Sequence, residues 1–173
     1  MEFHHVPVML KECIDGLNIK ADGIYVDCTV GGAGHSSEIA ERLGENGRLI
    51  AVDKDADALM VAGERLSRFG KKVSFLHDDF KNLIQDLDIM KVGGVDGILI
   101  DLGVSSYQLD NAERGFSYMK DAPLDMRMDR SQYLTAFNIV NEFGASEIIK
   151  ILFDYGEEKL AKRITENIVK FRS

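Results

Sequence analysis

The chain has 173 residues, of which 45% are hydrophobic, and its 29 acidic and 21 basic side chains give a net charge of −8 at pH 7. This length corresponds to one ordinary domain, or to one domain and part of a second. Sequence-independent nucleic-acid binding depends on Lys and Arg at phosphates, so the acidic balance argues against a general nucleic-acid binder. Any RNA contact is expected to be local, near the bases Arg114, Lys120, Arg127 and Arg130. The alternative is that these bases form a solvated surface.

The sequence shows no targeting segment, membrane span or metal-binding pattern. Residues 1–5 lack the basic region followed by an apolar one that is typical of a signal peptide. No apolar run approaches the length that crosses a bilayer. Cys13 and Cys28 have neither metal spacing nor a partner pattern, and His4 and His5 lack further ligands nearby. We therefore expect a cytoplasmic protein without a membrane association and without a bound metal.

Between residues 24 and 101 the sequence alternates apolar runs with segments of helical spacing. The predicted strands cover residues 24–28, 48–53, 73–77 and 96–101, and the predicted helices between them cover 36–43, 55–68 and 80–90. Asp55 is the expected N-cap of the second of these helices. Strands and helices that alternate with short loops predict an α/β fold with a doubly wound parallel sheet.

This alternation stops near Tyr107. A polar and aromatic segment without clear periodicity follows, and helices are then predicted at 132–142, 145–154 and 157–171. We therefore divide the chain into an α/β region, residues 1–107, and the start of a helical region, residues 108–173.

A glycine-rich loop after the first strand is the most informative part of the sequence. The strand ends on Asp27, and the glycines of residues 31–34 precede a predicted helix. Glycines let a backbone approach a ligand closely, and a helix N-terminus offers free N–H groups. Asp53 ends the second strand, about 20 residues past the glycines, where an acid can accept both hydroxyls of a ribose. The pattern predicts a nucleoside-containing cofactor at the carboxyl ends of parallel strands.

The glycine spacing narrows the choice of cofactor. A dinucleotide fingerprint G-x-G-x-x-G fails, because its third glycine falls on Ser37 in one register and its second on Ala33 in the other. A P-loop is excluded because no Gly-Lys-Ser/Thr follows. S-adenosylmethionine, with an amino-acid end and a ribose but no phosphate, suits such a loop. The alternative is a plain βα turn, which leaves the position of Asp53 a coincidence.

The fourth predicted strand ends on Asp101. In an open α/β sheet, ligands bind outside the carboxyl ends of the strands at the point where the strand order reverses. Asp27 and Asp101 are therefore expected to face one crevice.

Motifs along the whole chain carry a family resemblance: HVPVML (5–10), DCTVGGAGHS (27–36), DLGVSSYQLD (101–110), RGFS (114–117), PLDMRM (123–128) and YGEE (155–158). With them the chain resembles the N-terminal part of the RsmH (MraW) family of bacterial 16S ribosomal RNA cytosine-N4 methyltransferases. The resemblance implies a Rossmann-like class I methyltransferase sheet with part of an inserted helical domain. It also implies S-adenosyl-L-methionine as the cofactor and the 16S ribosomal RNA of the small subunit as the partner.

The same resemblance implies roles for the residues of the crevice. Backbone groups of Ala33, Gly34 and His35 would meet the methionine end of the cofactor, and Asp53 would bind the ribose hydroxyls. Phe80 would cover the adenine, unless it is a core residue, and His35 could instead cap the helix. Asp101 and Gln108 would complete the pocket near the transferred methyl group.

The resemblance implies Asp101 as the candidate catalytic residue, because it lies at the end of the fourth strand, where related amino-methyltransferases place an acceptor for the target amine. The exocyclic amine of cytosine is a poor nucleophile, because its lone pair is delocalised into the ring. A carboxylate that accepts one of its N–H groups would orient the amine and take up the developing positive charge. The target base must leave any stack, with Phe116 or Tyr118 as aromatic platforms.

The chain departs from the family pattern in its loop and in its length. The family's loop usually reads Gly-Gly-His, and Ala33 replaces the first of these glycines, which is tolerable unless the position needs a positive φ. Family members continue further, so a truncated chain is expected that stops inside the helical domain. Its sheet would keep an open edge after the fourth strand, which predicts dimerisation, aggregation or low stability.

Two alternative functions stay open. The chain could be a non-catalytic fragment that binds cofactor or RNA, or an S-adenosylmethionine methyltransferase of another substrate.

Overall fold

The computed structural model describes residues 7–172, in two compact units that divide after Ser105. The first unit is built on a four-stranded sheet of β1 (Ile24–Asp27), β2 (Arg48–Asp53), β3 (Val73–His77) and β4 (Gly97–Leu99). The strands lie in the order β3-β2-β1-β4 and every neighbouring pair is parallel. This order confirms the predicted doubly wound sheet, and its reversal point lies between β1 and β4.

Helices cover both faces of this sheet, because successive side chains of a strand point to opposite sides. The helices of the first unit are α1 (Leu10–Leu17), α2 (Gly34–Arg42), α3 (Ala56–Leu66) and α4 (Leu83–Ile89). One core joins Tyr25 and Leu49 of the strands to α1, α2 and α3. A second core joins the alternate strand residues Val26 and Ile50 to Leu83 of α4. The central strands are therefore buried on both faces, which explains their continuous apolar runs.

The observed elements differ from the predicted ones mainly at their ends. Helix α1 was not predicted, although Leu10, Ile14 and Leu17 have helical spacing and Ile14 is buried. Helix α2 begins at Gly34, earlier than the predicted residue 36. Asp55 is confirmed as the N-cap of α3, since its carboxylate accepts the N–H of Asp57 at 3.1 Å.

The second unit contains α5 (Ser106–Asp110), α6 (Ala136–Glu142), α7 (Ala145–Asp154) and α8 (Ala161–Phe171). The short α5 was not predicted. Helix α6 begins later than predicted because the Thr135 hydroxyl accepts the N–H of Asn138 and caps the helix at this point. Within residues 7–172, no helix is long and apolar enough to cross a membrane.

Two arginines of the second unit act inside the fold. The Arg114 guanidinium is buried and donates to the carbonyl groups of Arg127 and Met128, both at 3.0 Å. The Arg127 guanidinium donates to both oxygens of the Asp125 carboxylate, at 2.8 and 2.7 Å. This bidentate pair holds the pKa of Asp125 at about 2. Arg114 is therefore neither part of a solvated surface nor exposed to an RNA.

The outer edge of β4 is open in the described part of the chain, because β4 pairs with β1 alone. Ile98 is 45% exposed and Ile100, just past the strand, is 50% exposed.

We expect the 173-residue chain to self-associate through this edge, since an unpaired apolar edge is a template for another strand. Ile100→Lys should shift sedimentation-velocity profiles toward the monomer. Ile84→Lys, at an exposed residue of α4, is the control and should leave these profiles unchanged. A wild-type chain that stays monomeric at every concentration contradicts the prediction.

Candidate active site

The candidate site lies at the carboxyl ends of β2, β1 and β4, which are neighbours in the sheet. Asp53 ends β2 and Asp27 ends β1, while Asp101 follows β4. The register pairs Asp27 with Ala51 on one side and with Leu99 on the other. Parallel pairing therefore brings these acids to one edge of the sheet, at the point where the strand order reverses, as predicted.

Hydrogen bonds from other elements fix the glycine loop between β1 and α2. The N–H of Gly31 donates to Oδ2 of Asp53 at 2.9 Å. Nη1 of Arg65, near the end of α3, donates to the carbonyl oxygen of Gly32 at 2.5 Å. Gly31 has φ +48°, which a glycine adopts without a steric cost. The loop is thus held from β2 on one side and from α3 on the other.

Ala33 is the strained residue of this loop. It precedes α2 with φ +60°, in the left-handed region, and its side chain is completely buried. That conformation costs an L-residue about 1–2 kcal/mol. Burial of the methyl group in the core of the first unit offsets about 0.8 kcal/mol of that cost. The positive φ explains why a glycine suits this position, and alanine keeps the same turn at a small net cost.

The start of α2 is covered by the segment that precedes α1. A Cβ on Gly34 would lie only 2.1 Å from Cγ of Pro7, so a glycine is needed here for close approach. His35 is 7% exposed, and Nε2 of its ring lies 3.2 Å from the carbonyl oxygen of Val8. His35 therefore ties these two segments together and does not cap the helix with its side chain. The first N–H groups of α2 have no intrahelical partner and form the polar end of the loop.

Asp27 is a buried acid. Its residue is 1% exposed, Oδ2 accepts the Ser36 hydroxyl at 2.7 Å, and Oδ1 accepts the Thr29 N–H at 3.2 Å. Burial raises its pKa, an effect that these hydrogen bonds only partly oppose. The charge of Asp53 raises this pKa further.

Asp53 is a second acid at this edge of the sheet whose carboxylate is partly removed from water. Its Oδ1 accepts the Asp55 N–H at 2.9 Å while Oδ2 holds Gly31, and burial raises its pKa too. Within the described residues, neither Asp27 nor Asp53 forms an ion pair with Lys or Arg. A site with desolvated acids and no balancing base suits a ligand that carries positive charge.

The backbone of Asp101 is fixed although its side chain is exposed. The β4 ladder ends where Cys28 N–H donates to the Leu99 carbonyl at 2.9 Å. One step further, the Asp101 N–H donates to the hydroxyl oxygen of Thr29 at 2.8 Å. The Thr29 side chain thus joins the segments that follow β1 and β4 beyond the end of the sheet. It positions the Asp101 backbone.

The remaining predicted site residues lie in different surroundings. Phe80 is 37% exposed in a 3-10 turn (Phe80–Asn82) after β3, so it is not a core residue. Asp79 caps this turn by accepting the Lys81 N–H at 3.1 Å. Gln108 belongs to α5 in the second unit, where its side chain is buried. Its place in the crevice stays a prediction.

Several structural contributors to the site were not predicted from the sequence. Arg65 has the appearance of a surface base near a helix end, and Thr29 and Pro7 carry no local signal for their contacts. Only the fold shows that they meet the loop. Among residues 7–172, no group of three or more His, Cys, Asp or Glu side chains could hold a metal ion.

The buried acid gives a prediction about pH. The folded chain holds the Asp27 proton more tightly than the unfolded chain, so ionisation destabilises the fold as the pH rises from about 3.9 through the raised folded pKa. Asp27→Asn should therefore raise the melting temperature of the ligand-free chain at a pH of about 8, and the gain should shrink toward a pH of about 4.

Asp96→Asn is the control of opposite sign. A hydrogen bond from Lys20 lowers the pKa of Asp96, so its contribution stabilises the fold above the unfolded pKa and is lost as the pH falls. This variant should lower the melting temperature at a pH of about 8. Melting curves that show a loss of stability for Asp27→Asn at both pH values contradict the interpretation.

The four parallel strands, the glycine loop after β1 and the acid after β2 agree with a Rossmann-like class I methyltransferase fold. A solved structure of a candidate rRNA methylase from Clostridium thermocellum shares this fold, with a TM-score of 0.51 and 22% identity. The match covers 58% of this chain and 54% of that one. The model of the MraW methylase family matches residues 2–173, and the chain belongs to this family.

Curated relatives are similar along the whole chain. The chain is 54% identical over 173 residues to the Ribosomal RNA small subunit methyltransferase H of Clostridioides difficile, covering 100% of this chain and 56% of that protein. It is 56% identical over 172 residues to the protein of the same name from Finegoldia magna, covering 99% of this chain and 55% of that protein. The chain thus spans about half the length of the curated relatives it matches.

Proposed function

We propose that the protein represented by this chain transfers a methyl group from S-adenosylmethionine to the N4 amine of a cytosine in 16S ribosomal RNA. The observation that supports this most strongly is the similarity to proteins named Ribosomal RNA small subunit methyltransferase H, which extends over essentially every residue of the chain. The grouping of Asp27, Asp53 and Asp101 at one edge of the sheet supplies the matching chemistry. A ribosomal substrate also agrees with the expected cytoplasmic location.

The donor set of the crevice fits S-adenosylmethionine. This cofactor carries a positive sulfonium and an ammonium group, and the buried Asp27 and the half-buried Asp53 lack a balancing Lys or Arg in the described part of the chain. The cofactor has no phosphate, and the charge of this crevice is wrong for one. A cationic ligand would relieve the cost of keeping the two carboxylates ionised in a desolvated site.

We assign the binding roles residue by residue. The N–H groups of Gly34 and His35, with the backbone of Ala33, would hold the methionine carboxylate at the start of α2. Asp53 would accept the ribose hydroxyls, since each of its oxygens keeps a second lone pair beside the backbone hydrogen bonds. The exposed ring of Phe80 would cover the adenine. Gln108 would complete the pocket near the transferred methyl group.

Asp101 would act on the nucleophile. When bound, the cofactor supplies an activated methyl group, and the protein has to align the cytosine amine with it. The exposed Asp101 carboxylate would accept one N–H of that amine, orient its lone pair and stabilise the positive charge that develops on it. The Thr29 hydroxyl fixes the backbone that carries this carboxylate.

The substrate side is assigned to the second unit. Residues 1–107 would form the cofactor-binding core and residues 108–173 the start of a helical region that recognises the RNA. Tyr118 is 96% exposed and is the better aromatic platform for an unstacked base, since the ring of Phe116 already lies 5.9 Å from the Arg114 guanidinium. Lys120 is exposed and available to a phosphate, in contrast to the internal Arg114 and Arg127.

Cofactor binding is tested on the chain itself by calorimetry with S-adenosylhomocysteine. We expect Asp53→Ala to weaken binding by about 1–3 kcal/mol, as for the loss of a charged hydrogen-bond partner. Asp53→Asn keeps an acceptor for Gly31 but removes the charge, so it separates ribose recognition from loop support. Glu45→Ala removes an exposed acid from the loop before β2 and should bind as wild type does. Tight NAD binding without any affinity for S-adenosylhomocysteine would refute the assignment.

Catalysis is tested on a protein extended to the length of its relatives. At saturating cofactor, Asp101→Asn should lower single-turnover methylation of unmethylated small-subunit RNA by about 100-fold or more, since the amine interaction strengthens as charge develops. Cofactor affinity should change much less. Asp110→Asn, at an exposed acid of α5, is the matched control. An unchanged rate for Asp101→Asn would remove Asp101 from catalysis, and a fall in cofactor affinity alone would make it a binding residue.

A further inference from the structure

We propose that Arg65 is a positioning residue for the cofactor: by holding the carbonyl group of Gly32, it sets the direction of the backbone N–H groups that receive the methionine end. This inference rests on the proposed cofactor site and extends it to a residue on another helix. Arg65 lies near the end of α3, the helix that follows β2, and the loop that it contacts follows β1, the neighbour of β2 in the sheet.

The contact is close and specific. Nη1 of Arg65 donates to the Gly32 carbonyl oxygen at 2.5 Å, and the guanidinium is half-buried. A Cβ added to Gly32 would lie 3.3 Å from the same nitrogen, so the guanidinium packs directly against this residue. A hydrogen bond from a charged donor is about twice as strong as one between neutral groups. Arg65 therefore exerts a directional force on one peptide unit of the loop.

That peptide unit is held at both of its polar groups. The carbonyl of Gly32 is bound by Arg65, and the N–H of Ala33, in the same peptide plane, donates to the Val30 carbonyl at 2.7 Å. Two residues before Ala33, the N–H of Gly31 is bound by the Asp53 carboxylate. Fixing this plane sets the direction in which Gly34 and His35 present their N–H groups at the start of α2.

The loop needs such support because its own sequence does not determine its shape. Glycine loses more conformational freedom than any other residue when it is ordered, and Gly31 and Gly32 are adjacent. Ala33 adds strain through its positive φ. Without Arg65, the ligand itself would have to order the loop, and the cost would appear as weaker binding.

The test compares ligands with and without the methionine end. We expect Arg65→Met, which keeps the apolar stem but removes the donors, to weaken S-adenosylhomocysteine binding about tenfold or more in calorimetry. Methylthioadenosine lacks the amino-acid end and should bind to the variant almost as it binds to wild type. Arg65→Lys restores one donor and should recover most of the affinity. Arg68→Met removes the exposed partner of Glu41 and is the control on the same stretch of chain.

Amide hydrogen exchange of the ligand-free chain separates this inference from the proposed function. Arg65→Met should speed exchange at residues 31–35, and Arg68→Met should not, whether or not a ligand is ever found. Equal losses of affinity for both ligands together with a lower melting temperature would show a merely structural role and overturn the proposal. Unchanged exchange and unchanged binding would overturn it as well. A wild-type chain that binds neither ligand, with exchange altered as expected, would instead overturn the cofactor assignment and leave Arg65 as a brace of the loop.

Discussion

The hydrogen bond between the Gly31 N–H and the Asp53 carboxylate is the contact on which the candidate site depends. It joins the loop after β1 to the end of β2 and so combines the two sequence signals, the glycines and the following acid, into one structure. A second hydrogen bond, from the Ser36 hydroxyl in α2 to the Asp27 carboxylate at the end of β1, also joins a strand end to a neighbouring element. Because each acid uses its oxygens to hold backbone or hydroxyl groups, the carboxylates are fixed before any ligand arrives. The site is therefore preorganised, and little ordering cost falls on the ligand at these positions.

This arrangement has an electrostatic cost. Burial raises the pKa of both Asp27 and Asp53, and their mutual repulsion adds to the effect on Asp27. A stable core would not need such groups at the carboxyl ends of its central strands. Raised carboxylate pKa values in a crevice indicate a functional site, because a ligand with positive charge recovers the lost solvation. The contrast with Asp125, whose pKa is lowered to about 2 by Arg127, separates a structural carboxylate from the candidate ligand-binding ones.

The sequence predicted the sheet well, because four largely apolar runs each end on or near a polar residue and have helical segments between them. It predicted less well wherever a side chain contacts a residue distant in sequence. The start of α2 depends on Ala33 adopting a positive φ, and no local pattern distinguishes that residue from an ordinary turn alanine. Arg114 appeared to be a surface base, yet its guanidinium is buried against the carbonyl groups of Arg127 and Met128. Such roles are set by tertiary contacts, which periodicity does not encode.

The position of Asp101, the proposed catalytic residue, depends on the shortness of β4. The β4 ladder ends at Leu99, so the backbone beyond it is released from the regular geometry of the sheet. One hydrogen bond, from the Asp101 N–H to the Thr29 hydroxyl, then fixes the next turn of the chain. Gly103 follows with φ +151°, a conformation that lets the chain turn away from the strand direction. Had the ladder continued, the Asp101 side chain would have pointed to one face of the sheet like any strand residue. Because Asp101 lies past the end of the strand, its carboxylate is exposed, as the proposed contact with a substrate amine requires.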